Sequence, residues 1–211
     1  AKEEAAKILD VVHTEQKMLD EALKNGQSTD DVYKQIGHEF DRQFNCITGG
    51  GCNSTTWWLE PGRYLDLANM DYDHFGLNAW QTYRIGHQIA LEQAVAAKES
   101  NDLNKLKLAY ALNAFACHFL SDRFSAGHIR TPRIELSEHT TPEKVGSVLS
   151  SYMHAEENQR GLHVHNARGD RWIAYGDKTY FKQTSETHKR ILLEAMQISA
   201  DQVFAAYQQG N

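Results

Sequence analysis

The pattern that most constrains the fold is a pair of long helical repeats joined by a very short connection. Apolar residues recur at three- and four-residue intervals from about residue 78 to 98 and again from about 102 to 122. Such spacing places the apolar side chains on one face of an α-helix. Ser100, Asn101 and Asp102, between the two runs, are residue types that commonly begin a helix. We therefore predict two long helices that pack antiparallel.

Further helical patterns account for most of the remaining chain. They run from 1 to 25, from about 28 to 44, from about 142 to 160 and from about 185 to 208. Pro142 is a typical residue at a helix start and Gly161 a typical one at a helix end. Residues 161–182 combine short apolar stretches with Gly-Asp pairs, which indicates a loop with one short hairpin. The sequence contains no repeat or linker, and it predicts a single all-α domain over residues 1–211 with many helices.

Composition and charge limit the classes of function. The net charge of −6 and the lack of a Lys/Arg run argue against an electrostatic grip on duplex nucleic acid. No apolar run reaches the roughly 20 residues that a membrane-spanning helix needs. Cys46 and Cys52 flank a glycine-rich loop as two free thiols or as a small disulfide, which would indicate an oxidising compartment. The chain opens on a helical pattern, and we expect a secreted or periplasmic protein whose signal has been removed.

A chemically specific pattern lies at the end of the second long helix. His118 and Asp122 are four residues apart, which places them on one face of a helix. Gly127 is expected to bend the chain so that His128 reaches a neighbouring position. These residue types at this spacing predict a metal site.

A second pair of the same kind, His154 and Glu157, lies three residues apart on another predicted helix. Zinc binds neutral imidazole and carboxylate groups, and it activates water where one coordination position stays open. Each pair alone is equally compatible with a carboxylate that only orients an imidazole. The two pairs together, with His128 between them in the chain, favour metal binding.

These residues resemble the zinc-dependent phospholipases C of bacteria, which share a superfamily with the fungal single-strand-specific zinc nucleases. The shared motifs are, in chain order, Asp73-His74-Phe75-Gly76, His118-x3-Asp122-x5-His128, Met153-His154-Ala155-Glu156-Glu157-Asn158, Gly161-Leu162 and Tyr175-Gly176-Asp177. Together they span about half of the chain. The resemblance implies an all-α fold that cleaves the glycerol-side phosphodiester bond of phospholipids such as phosphatidylcholine, which releases diacylglycerol and a phosphorylated head group.

Carried over residue by residue, the resemblance also implies the metal ligands. The first zinc would be held by His74, His118 and Asp122, and the second by His128, His154 and Glu157. The family places a carboxylate four residues after the histidine that corresponds to His154, but this chain has Asn158 there, so the neighbouring Glu157 is the predicted ligand. His163 and His165 are alternative ligands for the same metal or a polar loop edge beside it.

A third zinc, bridged by Asp122, would complete the family's cluster. The best-known members close that site with an N-terminal tryptophan and a histidine of the first helix. His13 resembles this histidine, whereas residue 1 of this chain is Ala. The expected cofactor is therefore two or three zinc ions.

The family also uses an acidic residue upstream of the first histidine motif, as a zinc ligand or as the base that activates the attacking water. Glu60 lies closest to the usual family interval before His74, and Asp66 lies in a more regular helical context. Both are named as catalytic candidates beside Asp122. The alternative is that Glu60 and Asp66 are ordinary solvated carboxylates.

Substrate contacts are predicted at one arginine and two tryptophans. Arg130 follows His128 closely and can clamp a phosphate, although exposed loop arginines are often only solvated. Trp57 and Trp58 lie beside the glycine-rich loop, where they can contact a quaternary ammonium head group or a membrane surface.

Three functions remain open from the sequence. The first is a phospholipase C with a phospholipid substrate, a peripheral membrane contact and no membrane-spanning segment. The second is a single-strand-specific zinc nuclease or phosphatase, which requires an aromatic pocket for a base. The third is a non-catalytic protein that zinc stabilises through closed sites. The negative net charge disfavours the nuclease and the loop position of His128 disfavours the closed site, so phospholipase C is the predicted activity.

Overall fold

Helices dominate the computed structural model, which describes residues 2–177, 179–180 and 186–210. The helices are α1 (Lys2–Lys24), α2 (Thr29–Ile36), α3 (Glu39–Ile47), α4 (Arg63–Asn69), α5 (Gly76–Glu99), α6 (Leu103–Asp122), α7 (Ala126–Arg130), α8 (Arg133–His139), α9 (Glu143–Arg160) and α10 (Glu186–Gln209), with short 3₁₀ turns at Trp57–Leu59 and Tyr72–His74. The strands β1 (Leu162–His165) and β2 (Arg171–Ala174) form one antiparallel hairpin. The predominantly helical class that the sequence predicted is confirmed.

The residues group into two compact units. The N-terminal unit is Ala1–Asp71 and the C-terminal unit is Tyr72–Asn211. None of the described helices is long and apolar enough to cross a membrane.

In the N-terminal unit, the helix predicted from 28 to 44 is divided into α2 and α3. Its start is as expected, because the Ser28 hydroxyl accepts the N–H of Asp31 at 3.2 Å. Gly37 then adopts a φ of 56°, a left-handed value that costs glycine little, and α2 ends there. The apolar spacing alone does not show this interruption.

The loop after α3 is organised by Asn45, whose side chain is completely buried. Its Nδ2 lies 3.3 Å from the carbonyl oxygen of Gly51 and 3.1 Å from those of Trp57 and Glu60. Its Oδ1 accepts the N–H of Gly62 at 2.7 Å. One side chain therefore satisfies backbone groups from three parts of the same loop.

A disulfide between Cys46 and Cys52 closes the first part of this loop. Of the two alternatives that the sequence left open, the structure has the disulfide. Gly50 lies so close to the Asn45 amide that a Cβ atom there would collide with it. Glycine at this position is thus required by the close approach of the backbone.

In the C-terminal unit, α5 and α6 form the central pair and run antiparallel, as predicted. Tyr83, early in α5, shares a core cluster with Phe119, near the end of α6. Ala90, farther along α5, packs with Ala109, near the start of α6. The start of α5 therefore lies beside the end of α6, and this is where the histidines gather.

The last helix, α10, packs along both members of the pair. Val203 contacts the cluster that contains Ala90. A buried polar network also joins the three helices, since His87 Nδ1 lies 2.7 Å from Asn113 Oδ1 and the Ser199 hydroxyl donates to the same oxygen at 3.0 Å. These contacts fix the helices against one another and thereby fix the ends that carry the site.

Candidate metal centre

The first group of metal-ligating side chains lies where α5 begins and α6 ends. His74 closes the short turn before α5, while His118 and Asp122 occupy the last turn of α6. Arg123 ties the two helix ends together, because its Nη1 donates to the carbonyl oxygen of Gly76 at 2.6 Å. The antiparallel helix pair thus brings together residues that are more than forty positions apart in the chain.

The ligand atoms of this first group converge closely. His74 Nδ1 lies 2.9 Å from Asp122 Oδ2 and 3.2 Å from His118 Nε2. A tetrahedral zinc with ligand distances of about 2.0–2.2 Å separates its ligand atoms by roughly 3.3–3.6 Å. Two imidazole nitrogens and a carboxylate oxygen aimed at one another are a donor set that fits zinc.

The second group consists of His128, His154 and Asp177. Their ligand atoms all lie within 4.8 Å of one another. His128 is on α7, His154 is on α9, and Asp177 follows the hairpin. The rings of His128 and His154 are perpendicular, with their centroids 4.7 Å apart.

The backbone orients the His128 ring. Its Nδ1 lies 2.9 Å from the carbonyl oxygen of His74, which requires a proton on Nδ1 and leaves Nε2 able to act as a ligand. Phe75 stacks on the ring at a centroid distance of 4.8 Å. Residues next to the first group therefore hold a ligand of the second.

The carboxylate of Asp122 lies between the two groups. Its Oδ2 faces His74 at 2.9 Å, and its Oδ1 lies 3.6 Å from His128 Nδ1. The Asp122 side chain is only 10% exposed. Asp122 therefore belongs to the first group through Oδ2, while its Oδ1 faces the protonated Nδ1 edge of His128 and helps to orient that ligand of the second group.

Glu157, predicted to be a ligand of the second zinc, instead makes an ion pair with Arg130. Its carboxylate is 10% exposed and faces the guanidinium, and Asp177 occupies the place that the sequence analysis gave to Glu157. Arg130, predicted to bind a substrate phosphate, thus already contacts a carboxylate through Nη2. Helical spacing placed Glu157 near His154 but did not show which neighbour its carboxylate faces.

The predicted bend at Gly127 also differs in the structure. The chain turns at residues 123–125, and Gly127 lies inside α7. A Cβ atom at Gly127 would come within 2.6 Å of the His154 carbonyl oxygen and 2.9 Å of Asn158 Nδ2. The glycine is needed for close packing of α7 against α9 rather than for a bend.

A cavity of about 250 Å³ adjoins the ligands Asp122, His128 and Asp177. Aromatic rings of Phe124, Tyr175 and Tyr180 contribute to its wall, together with the buried His188. Burial lowers the pKa of His188 below its usual value, which favours the neutral imidazole. The sequence predicted Trp57 and Trp58 as substrate contacts, and neither ring lines this cavity.

Five predicted site residues belong to the N-terminal unit. His13 is exposed on α1, Glu60 and Asp66 are exposed carboxylates, Trp57 is half-buried and Trp58 is exposed. Among the described residues, neither ligand group includes any of them. His163 and His165 lie on the outer face of β1 and also belong to neither group.

Asp177 as a ligand candidate and Asn158 as an organising residue are findings of the structure that the sequence did not predict. Asp177 was visible only as part of the Tyr175-Gly176-Asp177 motif, twenty-odd residues after His154. Asn158 was noticed as a departure from the expected carboxylate.

Comparison of the chain with protein-family models, with curated proteins and with solved structures finds no match. The candidate centre therefore rests on the geometry and chemistry of its own side chains.

Proposed function

We propose that this protein is a zinc-dependent phosphodiester hydrolase of the phospholipase C type. Its substrate would be a phospholipid such as phosphatidylcholine, cleaved at the glycerol-side phosphodiester bond. The observation that carries the proposal is a pair of neighbouring three-ligand groups that the buried Asp122 carboxylate connects, since its Oδ2 faces His74 and its Oδ1 faces Nδ1 of His128. Two neighbouring metal ions suit phosphoryl chemistry, because together they can stabilise both the attacking and the leaving oxygen of an in-line displacement.

The residues fit two zinc ions. His74, His118 and Asp122 would hold one, and His128, His154 and Asp177 the other. When bound, zinc neutralises charge on a phosphate oxygen and lowers the pKa of water toward about 7. Each group offers three protein ligands, so that each leaves a position for water or substrate and resembles catalytic rather than closed structural sites.

The aromatic cavity supports a phospholipid with a cationic head group. Tyr175 and Tyr180 offer π faces to a quaternary ammonium group. The neutral His188 adds no positive charge beside these rings. This cavity replaces Trp57 and Trp58 as the proposed head-group contact.

Trp58 and Leu59 support a peripheral contact with the lipid surface. Their side chains are 60% and 58% exposed. Trp58 Nε1 donates to the carbonyl oxygen of Thr55 within the same loop, so that its polar atom is satisfied and its ring is free to enter the interfacial region. The Cys46–Cys52 disulfide agrees with the proposed secreted or periplasmic location.

The deciding experiment combines metal analysis with hydrolysis assays. We expect two zinc ions per chain and release of diacylglycerol from phosphatidylcholine vesicles. Asp122→Asn should reduce turnover by on the order of 100- to 1,000-fold and should lower the zinc content, because the neutral amide is a poorer zinc ligand than the carboxylate. Asp20→Asn, at an exposed position of α1, is the matched control and should change neither.

Three outcomes would contradict the proposal in whole or in part. Hydrolysis of single-stranded DNA in preference to phospholipid would favour the nuclease, which can use the same aromatic cavity to stack a base. Bound zinc without turnover of either substrate would leave the non-catalytic, zinc-stabilised protein. Full activity of Asp122→Asn would remove that residue from the reaction.

A further inference from the structure

The side chain of Asn158 lies at the point where three segments of the second ligand group meet. It is only 2% exposed, and it lies on α9, one helical turn after His154. Its Oδ1 accepts the N–H of Gly127 at 2.6 Å and the hydroxyl of Ser125 at 2.9 Å. Its Nδ2 donates to Asp177 Oδ2 at 2.8 Å and lies 3.2 Å from His154 Nε2. The amide thereby contacts the chain just before His128 and two candidate ligands, His154 on α9 and Asp177 in the loop after the hairpin.

The orientation of this amide is fixed by its partners. The backbone N–H of Gly127 is a donor and therefore requires the amide oxygen. The carboxylate of Asp177 is an acceptor when ionised and therefore requires the amide nitrogen. Reversing the amide would place its NH2 group against the Gly127 N–H and its oxygen against the Asp177 carboxylate, so only one orientation satisfies the network.

The surrounding backbone leaves no room for another arrangement. Cβ atoms at Gly127 and Gly176 would both collide with the Asn158 amide. The N–H of Gly176 also donates to the backbone carbonyl of Asn158 at 3.3 Å. Both glycines therefore bring main chain against this side chain, one beside His128 and the other beside Asp177.

We propose that Asn158 is a positioning residue of the second ligand group. Its amide nitrogen draws the exposed loop carboxylate of Asp177 to His154, while its amide oxygen holds the segment that carries His128. This role rests on the metal centre of the proposed function, since it concerns how that centre is assembled. The two ends of the Asn158 amide therefore connect α7, α9 and the Asp177 loop, which each supply one ligand of the second group.

The test is a pair of variants that reverse the polarity of one hydrogen bond. Asn158→Asp keeps an acceptor for Gly127 and Ser125 but places a second carboxylate against Asp177. Repulsion between the two should move Asp177 away and weaken one of the two zinc sites by about 10- to 100-fold. The double variant Asn158→Asp/Asp177→Asn restores a donor and acceptor pair between the two positions. Because it lacks the Asp177 carboxylate, it is compared with Asp177→Asn alone, and its second zinc site should be no weaker than in that single variant.

Zinc affinity is measured by chelator competition, and ligand geometry by the visible spectrum of the cobalt-substituted protein. The matched control is Asn45→Asp, a buried asparagine of the N-terminal unit whose contacts are backbone groups of one loop. It should lower stability and leave both zinc affinities and the cobalt spectrum unchanged. A merely structural role for Asn158 predicts that the two asparagine variants behave alike.

The outcomes separate this inference from the proposed function. Wild-type protein that binds fewer than two zinc ions overturns both. Wild-type protein that binds two, with Asn158→Asp retaining both at full affinity, overturns the role of Asn158 alone. If Asn158→Asp does not fold, the double variant decides. Recovery of folding, with a second zinc site as strong as in Asp177→Asn alone, supports the role, and failure to fold or a weaker site overturns it.

Discussion

Asn45 and Asn158 are buried asparagines of different units that make four polar contacts each, and they differ in what those contacts join. Asn45 contacts only backbone groups of a single loop, from Gly51 to Gly62. Asn158 contacts backbone and side chains from separate segments, and two of those side chains belong to a candidate ligand group. The same residue type at the same burial therefore serves loop shape in one unit and ligand placement in the other.

The difference shows how to recognise a buried polar residue that serves chemistry. Both asparagines are satisfied, so a count of hydrogen bonds does not separate them. The separation comes from the partners: backbone carbonyls need a donor in any folded loop, whereas a 53%-exposed carboxylate such as that of Asp177 needs no buried partner for solubility. Holding such a carboxylate beside an imidazole is useful when a cation binds between them.

Metal removal should produce the largest difference in amide exchange between the segments around Asn158 and the loop around Asn45. At zinc concentrations about 100 times the Kd, bound metal stabilises the folded state by about 2.7 kcal/mol, which corresponds to roughly 100-fold slower opening. Chelation should therefore accelerate amide hydrogen exchange at Gly127 and Gly176 by up to about that factor. The amides of Gly51 and Gly62 in the Asn45 loop should exchange at an unchanged rate, as measured by mass spectrometry or NMR.

The control for this experiment is the addition of calcium in place of zinc after chelation. Calcium prefers six to eight oxygen ligands, which the histidine-rich groups do not supply, so it should not restore protection. Equal acceleration in both loops would contradict the distinction between the two asparagines. No acceleration anywhere would mean that the second group holds no metal.

Removal of the disulfide should accelerate amide exchange in the Asn45 loop and leave the segments around Asn158 unchanged. Cys46 and Cys52 are six residues apart, and the chain-entropy model gives about 2 kcal/mol for a loop of that size. Replacing both with Ser should accelerate exchange at Gly51 and Gly62 by up to roughly 30-fold and leave Gly127 unchanged. The unfolding free energy in urea gives the total loss.

Cys117→Ser is the control, because Cys117 is a free thiol in the C-terminal unit. Its Sγ lies 3.3 Å from the Ser199 hydroxyl, a contact that a serine can replace. A similar loss of protection in both variants would show that the effect comes from substitution of cysteine in general and not from the cross-link.

The fold was predictable where local patterns decide it. The apolar spacing of α5 and α6 and the Asp102 side chain that accepts the N–H of Asn104 are properties of neighbouring residues. The break at Gly37 was not predictable in the same way, because the helical pattern continues across it. A glycine is compatible with both a continuous helix and a positive φ, and tertiary contacts select between them.

The ligands of the candidate site were likewise predictable only where local spacing decides their positions. His118 and Asp122 lie on one turn of α6, so their spacing is enough to pair them. Glu157 was predicted as a ligand by the same argument, but it faces Arg130 instead. Spacing shows that two side chains share a helix face, but it does not show that both point at the same ion. Asp177 reaches His154 only through the hairpin and the Asn158 amide, and those contacts depend on folding of the whole unit.

The smallest expected effect concerns Tyr64, which tests whether polar contacts of the N-terminal unit serve stability alone. The Tyr64 hydroxyl donates to Asp41 at 2.7 Å. Burial, and then the contact with Asp41, raise the pKa of Tyr64 above its usual value. The folded protein therefore keeps this proton at a pH where the unfolded chain loses it, so stability falls as pH rises above about 10.

Tyr64→Phe should lower the unfolding free energy by about 1 kcal/mol at pH 8, because a hydrogen bond to a charged acceptor is lost. The variant should also decline less steeply above about pH 10, since it has no Tyr64 proton to lose. Urea unfolding at pH 8 and pH 10.5 measures both effects, with Tyr110→Phe at an exposed position of α6 as the control. Parallel decline of wild type and Tyr64→Phe would contradict the pKa argument. A change in zinc affinity in Tyr64→Phe would instead contradict a role in stability alone, because Tyr64, like Asn45, is a member of neither ligand group found among the described residues.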